Sequence, residues 1–79
     1  MRAIINNVDI RGVEKKVNKN GDPYLVVRFE DCTGKPCDVC DKDISREPYY
    51  KKGTIGDIYV NIETGKFTNI RVVDFKTTN

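Results

Sequence analysis

The side chains with the widest chemical reach lie in one stretch, KNGDPYLVVRFEDCTGKPCDVCDKD, residues 19–43. It holds all three cysteines, Cys32, Cys37 and Cys40, and the carboxylates Glu30, Asp31, Asp38, Asp41 and Asp43. Cys37-x-x-Cys40 is a spacing that serves zinc or disulfide exchange. Zinc asks for four ligands, or three with a carboxylate and water, and with no histidine in the chain the three thiols would need Asp41 or a second chain. If residues 36–41 form a strand, the odd separation of Cys37 and Cys40 turns them to opposite faces, where they cannot close on one ion. A redox pair normally sits at a helix N-terminus, where the dipole lowers the thiol pKa. Here a Gly34-Lys35-Pro36 turn precedes the pair and its neighbours are acidic. The cysteines are therefore expected to be reduced and to act as small strand residues. Asp38, Asp41 and Asp43 lack the central glycine and terminal glutamate of a calcium loop, and read as a solvated acidic loop. No metal and no cofactor is expected.

Catalysis finds little support either. General-base chemistry near neutral pH without histidine would need a strongly shifted carboxylate, lysine or cysteine. Ser45 is the only serine, with no partner for a triad, and the six glycines stand singly rather than in a phosphate loop. The chain is not read as an enzyme.

What remains is a set of aromatic rings interleaved with cations: Tyr24 with Arg28, Tyr49 and Tyr50 followed by Lys51 and Lys52, Tyr59, and Phe67 beside Lys66 and Arg71. Bases stack on rings for roughly 1–3 kcal/mol each while cations track phosphates, which suits single-stranded nucleic acid of any base sequence. Lys15, Lys16, Lys19, Arg28, Lys51 and Lys52 are the candidate phosphate contacts. Tyr24, Tyr50 and Phe67 are the candidate stacking surfaces. One of Tyr49 and Tyr50 should pack beneath the chain and the other stay exposed.

The elements that must position these residues are strands. Turn signals at Lys19-Asn20-Gly21-Asp22-Pro23, Thr33-Gly34-Lys35-Pro36, Lys52-Gly53 and Thr64-Gly65-Lys66 separate short runs rich in Val, Ile, Tyr and Phe. In the first run, about residues 3–17, the apolar period slips near Asn6-Asn7 and again at Gly12, as in a long strand bent by bulges. The second alternates, predicting Leu25, Val27 and Phe29 inside with Tyr24, Val26, Arg28 and Glu30 outside. A short third run covers about residues 36–41. The fourth should bury Ile58, Val60 and Ile62, and the fifth Ile70 and Val72, leaving Phe67, Asn69, Arg71 and Val73 on the other face. Between the third and fourth, Pro48 limits KDISREPYYKKG to a helical turn or an ordered loop.

Five strands with their longest connection between the third and fourth predict an all-β, five-stranded Greek-key barrel of the OB-fold type, with an SH3-like barrel as the alternative. Seventy-nine residues make one domain, taken as 1–75 with a disordered 76–79 tail, and a chain this small favours a binding module. The net charge is only +2, but residues 11–28 are locally basic and 30–43 locally acidic. No apolar run reaches the roughly 20 residues of a membrane span and no signal peptide is visible, so a cytoplasmic protein with no membrane partner is expected.

At NGDPYLVVRFED the sequence resembles the filamentous-phage helix-destabilising proteins, the gene V type of single-stranded DNA-binding protein. The specific part is Gly21-Asp22-Pro23-Tyr24. A looser likeness runs through EPYYKKGTIGDIYVNIETGKFTNIRVVDF, covering about residues 12–75. The resemblance implies a homodimer of OB-like barrels coating single-stranded DNA in the host cytoplasm, with Tyr24 as the aromatic at the start of the second strand and residues 15–19 as a basic DNA-binding arm. The expected partner is single-stranded DNA, with RNA open on the same chemistry. A small β-barrel adaptor binding a protein through a sheet edge, or through its acidic DVCDKD face, is the alternative.

Overall fold

The computed structural model describes residues 1–78. Its elements follow in the order β1 (Arg2–Val17), β2 (Pro23–Glu30), β3 (Pro36–Asp41), a 3₁₀ helix (Ile44–Tyr49), β4 (Ile55–Glu63) and β5 (Asn69–Thr77). The strands close into a barrel in the order β1-β2-β3-β5-β4, with β4 returning to β1. All neighbours are antiparallel except β3 and β5, which run parallel and meet at the single pair Cys40 and Arg71. This is the five-stranded OB-like barrel that the strand spacing predicts.

Both expected slips in β1 are bulges. Against β4 the register shifts between Ile5 and Val8, where Asn7 adopts a φ of 56° and its N–H donates to Asp57 Oδ1 at 3.0 Å. Against β2 it shifts between Ile10 and Gly12. Two bends let one 16-residue strand pair on both sides within the closed barrel, its first half with β4 and its second with β2. Among the described residues no helix is long and apolar enough to cross a membrane.

The core is Val8, Ile10, Leu25, Val27, Phe29, Val39, Tyr50, Ile58, Val60, Val72 and Phe75, with Ile62 packed at its margin. Leu25, Val27 and Phe29 point inward as expected. β5 departs from its expected pattern because it carries a bulge: Tyr59 pairs with Asp74 and Val60 with Val72, leaving Val73 as the extra residue. Phe75 is thereby turned in beside Val72. Ile70, expected inside, precedes the bulge and is 42% exposed opposite Ile62, next to the last pair of the β4–β5 ladder. The terminal segment also differs from expectation. Lys76 and Thr77 pair with Asp57 and Gly56 as the end of β5 rather than opening a disordered tail, and the Thr78 N–H donates to the Ile55 carbonyl at 2.9 Å just past the strand. Asn79 lies outside the described residues.

Asp41 and Tyr50 correct the sequence reading most sharply. Asp41, expected in a solvated acidic loop, ends β3 pointing inward and is fully buried. Its Oδ2 accepts from the Tyr50 hydroxyl at 2.6 Å, and its Oδ1 accepts from Arg46 Nη1 at 2.8 Å and from the Asp43 N–H at 2.9 Å. Three donors around one carboxylate satisfy a charge that would otherwise be costly to bury. Arg46 also donates to the Val73 carbonyl at 2.6 Å, so it spans the β3–β5 gap where backbone pairing is sparse. The 3₁₀ helix that delivers Arg46 and Tyr50 starts at Asp43, whose carboxylate caps the Ser45 N–H.

Candidate nucleic-acid interface

The outward faces of β1, β2 and β3 form one surface whose register aligns several of the candidate side chains. Lys16 stands opposite Tyr24, Glu14 opposite Val26 and Gly12 opposite Arg28. On the other side of β2, Val26 stands opposite Cys40 and Arg28 opposite Asp38. Two depressions open on this surface and share Tyr24, Cys40, Asn69 and Ile70. One extends to Asn18, Asp22, Lys42 and Arg71, and the other to Lys16, Val26, Arg28 and Asp38. A third, bounded by Arg11, Phe29, Pro36 and Cys37, continues from Arg28 and Asp38 toward the far end of β2. Together they make a groove with an apolar floor of Tyr24, Val26, Cys40 and Ile70 and a largely basic rim.

Two loops bound the groove at the Tyr24 end. The β1–β2 turn is held by Asn18, whose Oδ1 accepts from the N–H groups of Asn20 at 2.9 Å and Asp22 at 3.0 Å, and Gly21 takes the φ of 85° that closes the turn. The β4–β5 loop, residues 64–68, brings Thr68 to the edge and presents Phe67 at 74% exposure, with Lys66 Nζ 5.9 Å from its ring centroid.

The basic side chains at the rim are held loosely. Glu14 is shared by Arg28 at 3.4 Å and Lys16 at 3.8 Å, and Arg71 lies 3.9 Å from Glu63, all with side chains between 42% and 53% exposed. Such exposed pairs contribute little and yield readily to a phosphate.

The remaining candidates fall elsewhere. Tyr50 is 1% exposed, its ring centroid 5.2 Å from that of Phe75 and its phenol pushed up in pKa by burial and by the Asp41 carboxylate. It is a core residue and cannot stack on a base. Tyr49 is the exposed member of the pair, at 57%. Lys51 and Lys52 are exposed beside Gly53, whose N–H donates to the Ile10 carbonyl; Ile10 stands opposite Phe29, five residues or roughly 16 Å along β2 from Tyr24. Lys15 alternates to the face opposite Lys16, and Lys19 sits in the β1–β2 turn. Tyr59 lies on another face, with Lys76 Nζ 5.2 Å from its ring centroid.

Cys40, Lys42, Asn69 and Ile70 are groove residues that the sequence reading did not place among the nucleic-acid candidates. Alternation along β3 places Cys40 outward, but only the β2–β3 register reveals that it continues the Val26 row, with Lys42 just past the strand bounding the depression that holds Tyr24. All three cysteines are exposed and unbridged, and among the described residues no three His, Cys, Asp or Glu side chains group as a metal site.

No family model matches the chain, and no curated protein matches it in sequence. Among solved structures, the fold is similar to the crystal structure of Rim1, a mitochondrial single-stranded DNA-binding protein of S. cerevisiae. The TM-score is 0.71, over 99% of this chain and 95% of that one, at 10% sequence identity. At that identity the likeness is one of fold. The resemblance of Gly21-Asp22-Pro23-Tyr24 to the helix-destabilising proteins has no matching family model beside it.

Proposed function

We propose that this chain binds single-stranded DNA without requiring a particular sequence, using the groove across β1, β2 and β3 as its site. The observation that carries the reading is the coincidence of an apolar floor, an aromatic ring and loosely held cations in one continuous depression. The groove also lies on the β2–β3 face between the β1–β2 and β4–β5 loops, which is where OB-folds take oligonucleotides. Tyr24 supplies a stacking ring and Phe67 a second from the loop, while Lys16, Arg28, Lys42 and Arg71 track phosphates. Tyr24 shares one groove with Lys16, Arg28, Lys42 and Arg71, which favours nucleic acid over a protein partner.

The finer reading follows the sequence resemblance: a non-enzymatic protein of phage or mobile-element type, acting as a homodimer in the host cytoplasm during DNA replication. The similarity in fold to Rim1, described as a single-stranded DNA-binding protein, supports the general activity and is silent on these particulars.

The test is fluorescence anisotropy of a labelled oligo-dT strand across a salt series. Each phosphate contact on a single strand contributes about −0.7 to the slope of log K against log salt, so four cations give roughly −3. Tyr24→Ala should cost roughly tenfold or more in affinity, the lower part of the stacking range, while leaving the slope unchanged. Absence of binding at low salt refutes the proposal.

A further inference from the structure

Two carboxylates line the groove and oppose phosphate binding, Asp22 in the turn at its end and Asp38 on β3. Asp38 is exposed, stands opposite Arg28 in the β2–β3 register, and bounds two adjoining depressions together with that arginine. Arg28 reaches toward Glu14 on β1 instead, at 3.4 Å. Among the described residues the Asp38 carboxylate has no hydrogen-bond or ion-pair partner. A strand lying in this groove therefore gains by presenting a base edge, and not a phosphate, at Asp38.

A carboxylate only accepts hydrogen bonds, and its two oxygens match two adjacent N–H donors. Of the four DNA bases, guanine alone offers two adjacent donors on its Watson–Crick edge, N1–H and the N2 amine. Cytosine and adenine each offer one amine beside a ring acceptor. Thymine offers one N3–H between two carbonyls that repel the carboxylate. Unpaired strands leave these edges open to side chains, and an arginine plane provides a surface on which a base can stack. Arg28 is such a surface, directly beside Asp38, and Tyr24 lies four residues or roughly 13 Å further along the same face of β2.

We propose that Asp38 accepts the N1–H and N2 amine of a guanine stacked at Arg28, giving the groove a guanine preference at one position. The inference rests on the reading of the groove as a single-strand site, and it makes affinity graded by sequence without making binding depend on sequence.

The test compares labelled strands of roughly 15 nucleotides, near the upper end of the site size of an OB-fold. One is oligo-dT, one carries isolated guanines in a thymine background, and one replaces those guanines by inosine, which lacks the N2 amine. The guanine strand should bind roughly five- to tenfold more tightly than oligo-dT, the lower range for a bidentate base contact, and the inosine strand should lose most of that gain. Asp38→Asn, exposed and outside the core, should bring the guanine and thymine strands to equal affinity while binding oligo-dT at least as well as the parent. Equal affinity of the parent protein for all three strands, or a guanine preference that survives in Asp38→Asn, overturns the guanine contact and leaves the single-strand activity standing. Failure to bind any strand overturns both.

Discussion

Tyr50→Phe isolates the buried carboxylate that ends β3. The substitution removes one hydroxyl and keeps the ring against Phe75, so the apolar core retains its shape. Asp41 Oδ2 then loses the donor that meets it at 2.6 Å, while Oδ1 keeps Arg46 and the Asp43 N–H. With Asp41 fully buried, water cannot take the place of the phenol without opening the barrel end. Hydrogen bonds to charged groups are worth about 1.5–3 kcal/mol, and a loss of roughly 2 kcal/mol is expected here. In a domain of this size that corresponds to a fall in Tm of roughly 8–16 °C. Urea denaturation should show a lower midpoint at an unchanged m-value, because the surface exposed on unfolding is the same. A change below about 0.5 kcal/mol would show that the phenol is not the partner that holds the carboxylate.

Two further outcomes follow from the packing and the charges. Gly56→Ala places a Cβ 2.5 Å from the Lys76 carbonyl oxygen and 2.8 Å from the Phe75 ring, so β4 and β5 must part; a loss of roughly 1–3 kcal/mol is expected by denaturant titration, and a neutral result contradicts the close pairing of these strands. Asp31 is held below the ordinary carboxylate value of 3.8 chiefly by the Thr33 hydroxyl and then by the Lys35 N–H, and Asp43 likewise by the Ser45 hydroxyl and N–H. Both bind protons less readily folded than unfolded, so the stability they contribute is present above pH 3.8 and lost as pH falls below it through the lowered folded values. Asp31→Asn combined with Asp43→Asn should flatten the acid limb of the stability profile, and an equally steep limb in the double variant counts against these hydrogen bonds.

The strands were legible because their signals are local. Gly and Pro turns, the alternation of Leu25, Val27 and Phe29, and the slips at Asn6-Asn7 and Gly12 each belong to a few neighbouring residues. Where local pattern misled, a distant partner had decided the outcome. The bulge at Val73 turns Phe75 into the core, and nothing in IRVVDF announces the extra residue, while Ile70 is exposed by its place beside the last pair of the β4–β5 ladder. Asp41 sits in an acidic run that reads as solvated, yet Arg46 and Tyr50 arrive from the following helix to neutralise and cover it. The same pairing removes Tyr50 from the stacking surfaces and leaves Tyr49 outside. Tyr24, Lys16 and Arg28 stand out by type and spacing, whereas Cys40, Lys42 and Ile70 line the same groove only through strand register and barrel closure.

The division of β1 between two partner strands also bears on how the chain is made. Its second half can pair as soon as residues 23–30 emerge, forming a hairpin of near neighbours, but Arg2–Ile5 must wait for Ile58–Asn61. Translation proceeds at roughly 5–20 residues per second, so the leading half of the strand stays an open edge for several seconds. An open edge recruits other strands, and the outward Arg2, with the polar Asn6 and Asn7, makes this one a poor template for them. The distant pairing also raises contact order, which points to folding in milliseconds to seconds rather than microseconds. Chains halted before β4 would carry a finished hairpin beside an edge that only Ile58–Asn61 of the same chain completes.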